Sequence, residues 1–169
     1  MTTIEDQLLD WLRDAHAMEA QAETMLKGQH ARIRNYPKLK ARIEQHIQET
    51  QEQARLVAEC IERLDGKPSA LKDTGSRMMA MGQAFAGMMA DDEVVKGSMF
   101  SYAFEHMEIA AYRMLIAAAK AAGQEEIQQV CERILPQEEA MAAWIEQNAG
   151  DLVHQYLTRL EEPELAAKR

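Results

Sequence analysis

Apolar residues recur at intervals of three and four through four long stretches of this chain, and no segment alternates with a period of two. That spacing draws one stripe along a helix and is incompatible with a half-buried strand. The first stretch, about 3–34, carries Leu8, Leu12, Ala15, Ala22, Leu26 and Ile33. The second, 38–64, carries Leu39, Ile43, Ile47, Thr50, Ala54, Val57, Ile61 and Leu64 on one face. The third, 92–122, aligns Phe104, Ala111, Leu115 and Ala118, and the fourth, 124–148, aligns Ile127, Cys131, Ile134, Met141 and Ile145. Strong helix formers fill the positions between. Asn35-Tyr36-Pro37 and Gly123 mark two short turns, and Asp65-Gly66-Lys67-Pro68 closes the second stretch.

Four long amphipathic helices joined in pairs by short turns predict an all-α four-helix bundle, one domain over residues 1–169. The connection 65–91 is far longer than a turn between neighbours needs. It is long enough to cross back over a bundle of about 45 Å. Within it, residues 76–90 (Met78, Met79, Met81, Phe85, Met88 and Met89 among them) read as a short apolar helix. The simplest role is a lid packed on the bundle; a partner-binding or oxidation-sensing methionine face is the alternative. After Gly150 a short C-terminal helix and a charged tail are expected over 150–169.

Several function classes fall away on charge and cysteine usage. A formal charge of −9 argues against a nucleic-acid partner or an anionic membrane surface. Cys60 and Cys131 are far apart and outside any CxxC pattern, which excludes a disulfide scaffold and a zinc ribbon. The first residues lack a basic then apolar leader pattern, and no apolar run reaches membrane-spanning length. A cytoplasmic, reduced protein is expected.

Four glutamates stand where a core should be. Glu19 lies among Ala15, Ala22 and Leu26, Glu108 among Phe104, Ala111 and Leu115, and Glu138 among Ile134, Met141 and Ile145. Glu49 lies nearer the edge of its helix's apolar arc. Glu19 and Glu49 are 30 positions apart, as are Glu108 and Glu138, with the two turns at the midpoints. Antiparallel geometry then sets each pair level, about 22 Å from its turn. A weak internal repeat at an offset of 89 supports a duplicated hairpin: Met18–Leu26 matches Met107–Leu115 at five of nine positions. Ionised carboxylates in an apolar interior must protonate or meet cations. Two divalent ions would neutralise four of them, and a carboxylate-rich, imidazole-poor set suits iron or manganese.

The stretches Trp11–Glu19, Ala41–Thr50 and Phe104–Ala110 resemble the YciE/YciF group of bacterial stress-associated ferritin-like proteins, and most closely the YciE branch. The resemblance covers nearly the whole chain up to the tail. It implies a ferritin-like bundle with the long crossover, a carboxylate-bridged dimetal centre and a homodimer. The ferritin-like pattern takes Glu-x-x-His from two of the helices. Here the third residue after Glu49 is Glu52, and after Glu138 it is Met141. His46 stands one turn before Glu49, and Glu105 one turn before Glu108. His46 reads as a terminal ligand or as a hydrogen-bonded core histidine. Glu105 reads as a ligand, since E-x-x-E on the third helix is similar to the rubrerythrin arrangement. The candidate metal set is therefore Glu19, Glu49, Glu105, Glu108, Glu138 and His46. His16 and Tyr112 are candidates to support the ligands, His30, His106 and His154 read as surface or edge residues, and Pro136 is expected to kink the fourth helix.

Two functions follow as expectations. One is a dimetal oxidoreductase-like protein acting on peroxide, dioxygen or ferrous iron. The other is a non-catalytic bundle that works through protein contacts, its metal structural or absent. A ferritin-like storage shell is a weaker third.

Overall fold

The computed structural model describes residues 2–65 and 92–162. Four helices make up the described chain: α1 (Ile4–Arg32), α2 (Pro37–Arg63), α3 (Glu93–Ala121) and α4 (Glu125–Glu161). Several of the helix ends have a local cause. Thr3 caps α1 through a reciprocal pair of bonds: its hydroxyl accepts from the Asp6 amide at 3.0 Å, and its own amide donates to the Asp6 carboxylate at 2.8 Å. Pro37 opens α2 at a position where its missing N–H costs nothing. Gly123 turns the chain between α3 and α4 at φ +69°, a conformation that a side chain would strain.

The helices pack α1 on α2, α3 on α4, α1 on α3 and α2 on α4, which places α2 and α3 at opposite corners of a square. Arg63 at the end of α2 pairs with Glu126 at the start of α4. Arg32 at the end of α1 pairs with Glu93 at the start of α3. Residues 65 and 92 therefore lie at opposite ends of the bundle, as a crossover connection requires. The expected apolar helix at 76–90 and the tail beyond 162 lie outside the described residues.

The expected boundaries hold to within two residues except at the last helix. The separate C-terminal helix expected after Gly150 is instead the uninterrupted continuation of α4. A glycine weakens a helix without breaking it, and contacts on both sides hold the continuation. Leu152 is buried in the core, and Arg159 donates to the Asn35 carbonyl at 3.1 Å while its guanidinium lies 5.5 Å from the Tyr36 ring centroid.

Two apolar clusters form the core. The lower includes Leu8, Leu12, Val57, Ile61, Leu115, Ile127 and Ile134. The upper includes Leu26, Ile33, Tyr36, Leu39, Ile43, Met141 and Ile145. Cys60 and Cys131 are buried free thiols in the lower cluster, and burial pushes them up to about 11 and about 12. No helix among the described residues is long and apolar enough to cross a membrane. A layer of buried polar side chains separates the two clusters.

Candidate metal centre

Each helix contributes to that layer from its inward stripe. Glu19 comes from α1, His46, Thr50 and Gln53 from α2, Glu105, Glu108 and Tyr112 from α3, and Glu138 from α4. His46 and Gln53 are 0% exposed, and the four carboxylates are at most 2% exposed. This burial is the consequence of stripe position: the spacing that sends Leu and Ile inward sends these residues inward too.

His46, Glu105 and Glu138 form the tightest group, with one ligand-type atom from each lying within 4.8 Å of the others. His46 Nε2 is 3.1 Å from Glu105 Oε2 and 3.6 Å from Glu138 Oε2. On its other side the ring donates from Nδ1 to Glu49 Oε2 at 2.8 Å. Burial opposes a charged imidazole, but the bonds to Glu105 and Glu49 outweigh it and push His46 up to about 10. Glu19 accepts from the Tyr112 hydroxyl, and Glu138 accepts from Gln53.

Burial lifts Glu19 to about 8 despite the Tyr112 bond. Burial, reinforced by the neighbouring carboxylates, raises Glu108 and Glu138 well above the usual range. Tyr112 is likewise raised by burial and by Glu19. Within the layer, three carboxylate oxygens have no hydrogen-bond partner among the described residues: Glu19 Oε2, Glu108 Oε1 and Glu138 Oε2. Such atoms normally cost 1–3 kcal/mol each, roughly, and more when charged. Divalent cations fit this set. The donors are hard oxygens with one imidazole, the lone pairs are unspent, and two such ions would balance the charge of Glu19, Glu105, Glu108 and Glu138.

The structure thus gathers five of the six candidate ligands in the buried layer and sets the sixth behind it. Glu49 is held at the edge by Arg42 at 3.1 Å and Gln45 at 2.8 Å, and it faces the outer nitrogen of His46. After the opposing effect of burial, its bonds to His46 and Arg42 bring it down to about 2. Tyr112 donates to one of the candidate carboxylates, Glu19. His16 is half-buried, and Glu19's hydrogen-bond partner among the described residues is Tyr112, from α3. His106 and His154 are exposed, and His30 lies 3.9 Å from Glu44 near the surface. Sequence reasoning passed over Gln53 and used Thr50 only as a stripe position. Their spacing from His46, four and then three residues, was the available signal.

A family model described as a domain of unknown function, DUF892, matches residues 3–158. The chain belongs to the DUF892 family. A crystal structure of a protein from Xanthomonas campestris pv. campestris is 45% identical, covers 94% of this chain and 98% of its own, and superposes with a TM-score of 0.80. The E. coli stress protein YciF is 22% identical over 92% of this chain and 99% of its own, with a TM-score of 0.78. A ferritin-like, diiron-carboxylate protein from Bacillus anthracis is 19% identical over 88% and 99%, with a TM-score of 0.72. The last two establish the fold: this DUF892 member is a ferritin-like four-helix bundle. Its buried His/Glu/Glu group lies across three of the four helices of that bundle.

Proposed function

We propose that this chain is a dimetal-carboxylate protein of the stress response, binding two iron or manganese ions in the layer between its apolar clusters. The carrying observation is the three carboxylate oxygens, on Glu19, Glu108 and Glu138, that make no hydrogen bond among the described residues, in a layer where no Lys or Arg stands among the described buried polar residues. His46, Glu105 and Glu138 would hold one ion, and Glu19, Glu108 and Glu138 the other. Glu49 would act through His46, fixing the proton on Nδ1 and leaving Nε2 as the ligand atom. When bound, such a pair supplies one-electron redox chemistry toward peroxide, dioxygen or ferrous iron. The chain's own residues do the rest. Tyr112 and Gln53 orient Glu19 and Glu138, and the flanking Leu, Ile and Met side chains exclude bulk water.

The YciE-like motifs support placement in that branch and a cytoplasmic setting. The exposed Trp11 and Met114, together with Met18, line an apolar surface that supports a homodimer. Elemental analysis of protein purified without chelator tests the central point. About two ions per chain are expected, lost in the Glu19→Ala/Glu108→Ala double variant, and the loaded protein should consume peroxide or oxidise ferrous iron faster than the metal-free form. Chelator-free protein without metal would overturn the reading.

One observation favours a second reading. Thr50 and Gln53 offer α2's inward stripe neutral donors at a Thr-x-x-Gln spacing, where the ferritin-like pattern has Glu-x-x-His. A bundle with metal structural or absent, acting through protein contacts, is the function in that case. It is distinguished by full biological activity of the same double variant.

A further inference from the structure

The buried layer divides its nitrogen and oxygen donors unevenly. α2 presents His46, Thr50 and Gln53 on one stripe, four and then three residues apart, each a turn nearer the lower cluster. His46 supplies the one buried imidazole among the described residues. Thr50 and Gln53, 1% and 0% exposed, bring oxygens instead. Register gathers these oxygens with the carboxylates. Thr50 is level with Glu19 across the α1–α2 turn, and Gln53 is bonded to Glu138.

Neither oxygen on α2 is spent. Thr24, Ser98 and Thr158 each donate the hydroxyl to the carbonyl four residues before, at 2.9, 2.8 and 3.0 Å, the usual way for a helical hydroxyl to be satisfied. The Thr50 hydroxyl has the His46 carbonyl at the same offset, yet it makes no hydrogen bond among the described residues. The Gln53 amide is oriented by its neighbours. Its Nε2 donates to Gln137 Oε1 at 2.9 Å and to Glu138 Oε1, which takes up both hydrogens. Oε1 is left buried and without a hydrogen-bond partner among the described residues. Together with Glu19 Oε2, Glu108 Oε1 and Glu138 Oε2, the four helices bring five such oxygens to the layer. An amide oxygen and ionised carboxylates only accept, and a hydroxyl keeps its proton while giving its lone pairs to a cation. The lack of charge on Thr50 and Gln53 lowers the negative charge of this group without reducing its oxygens. Sets of about six oxygens, charged or neutral, suit hard ions such as manganese and magnesium, whereas imidazole shifts preference toward iron and the later metals.

Resting on the dimetal reading, we propose that the layer is built as two unlike metal seats, and that the neutral oxygens of Thr50 and Gln53 complete an all-oxygen seat with Glu19, Glu108 and the shared Glu138. That seat takes a hard divalent ion of the manganese class. The seat marked by His46 takes the ion that favours nitrogen. With less negative charge and no imidazole, the all-oxygen seat is the weaker of the two and fills second.

The test uses the full chain as wild type, Thr50→Val and Gln53→His. Each is titrated with manganese alone, free ion being followed by its paramagnetic resonance signal, and then with ferrous iron against manganese without oxygen. Wild type is expected to bind manganese in two unequal steps of one ion each. Thr50→Val, which keeps the shape and removes the oxygen, should weaken the second step by about tenfold or more and leave the first within about twofold. Gln53→His places an imidazole in the second seat and should raise that step's preference for iron over manganese by about tenfold. Either variant decides the matter alone. A second step unmoved in Thr50→Val, two steps weakened equally, or an unchanged metal preference in Gln53→His overturns this inference and leaves the dimetal reading standing. A wild type that binds no metal, or one ion only, overturns both.

Discussion

Glu49 accepts the Nδ1 proton of His46 at 2.8 Å and so turns the ring's other nitrogen toward Glu105 and Glu138. The pair divides labour by position on one helix. Glu49 keeps its charge at the rim with the help of Arg42, and His46 carries the consequence into the core. Removing the acceptor frees the imidazole to choose its tautomer and orientation. Glu49→Ala should therefore weaken metal affinity by about 10–100-fold, the usual cost of losing such a partner. The fold should be unaffected, since the side chain is partly exposed. Competition against a chromogenic chelator measures the affinity, and an unchanged constant would remove Glu49 from the site's machinery.

Tyr112 has a different dependence on metal. Its hydroxyl donates to Glu19 Oε1, while Oε2 has no hydrogen-bond partner among the described residues. In metal-free protein Tyr112→Phe leaves a second oxygen of a buried carboxyl group unsatisfied, at about 1–3 kcal/mol. Metal-loaded protein should lose less, because the ion orients the carboxylate by itself. Denaturant titrations of the variant with and without metal check the difference, and equal losses in both states would mean that the bond does not serve the site.

The metal-free protein should also respond to pH in an unusual direction. Glu19 sits at about 8 in the fold against about 4.5 unfolded, and Glu108 and Glu138 are raised as well. Between those values the folded state holds protons that the unfolded state has released, so stability falls as pH rises from about 4.5 to 8. His46, raised from 6.5 to about 10, continues the loss above pH 6.5. Glu49, lowered to about 2, works the other way and withdraws its contribution only below pH 4.5. The optimum of the metal-free form is thus expected near pH 5. Metal displaces the same protons, so its stabilising effect should grow across that window, with proton release on binding. Melting curves from pH 4 to 9 with and without manganese decide it; a metal-free optimum at pH 7–8 would contradict the buried charges.

Much of this was legible in the chain because helix period and burial are the same signal. Leu8, Leu12 and Leu26 are inward for the reason that Glu19 is, so an acidic residue on the stripe announces a site. Glu49 shows where that logic loses resolution. The first turn runs from the end of α1 at Arg32 to the start of α2 at Pro37 and centres between Arg34 and Asn35. That half-residue displacement from Arg34 levels Glu19 with Thr50, and one residue along a helix is about 100° of rotation. Equal spacing of charges therefore pointed to Glu49, while the stripe that begins at His46 runs through Thr50 and Gln53. Neutral polar side chains on a stripe look like edge residues until the neighbouring helix supplies their partners, as Glu138 does for Gln53.

Gly150 shows the complementary error, in which a local signal yields to packing. Glycine after a helical run reads as a stop, yet α4 continues past it for eleven residues because Leu152 and Arg159 are anchored on the α1–α2 turn and the upper cluster. The position is solvent-exposed, and a methyl group built there meets nothing within 4 Å. Nothing in the folded state opposes a side chain, and the unfolded chain would lose freedom. Gly150→Ala should stabilise the protein by about 0.5–1 kcal/mol. For a domain of this size that is a rise of roughly 1–4 °C in melting temperature. Metal content should not change, since the substitution lies twelve residues from Glu138. A lowered melting temperature would mean that the helix breaks at Gly150 in solution and that the segment beyond it packs as a separate element.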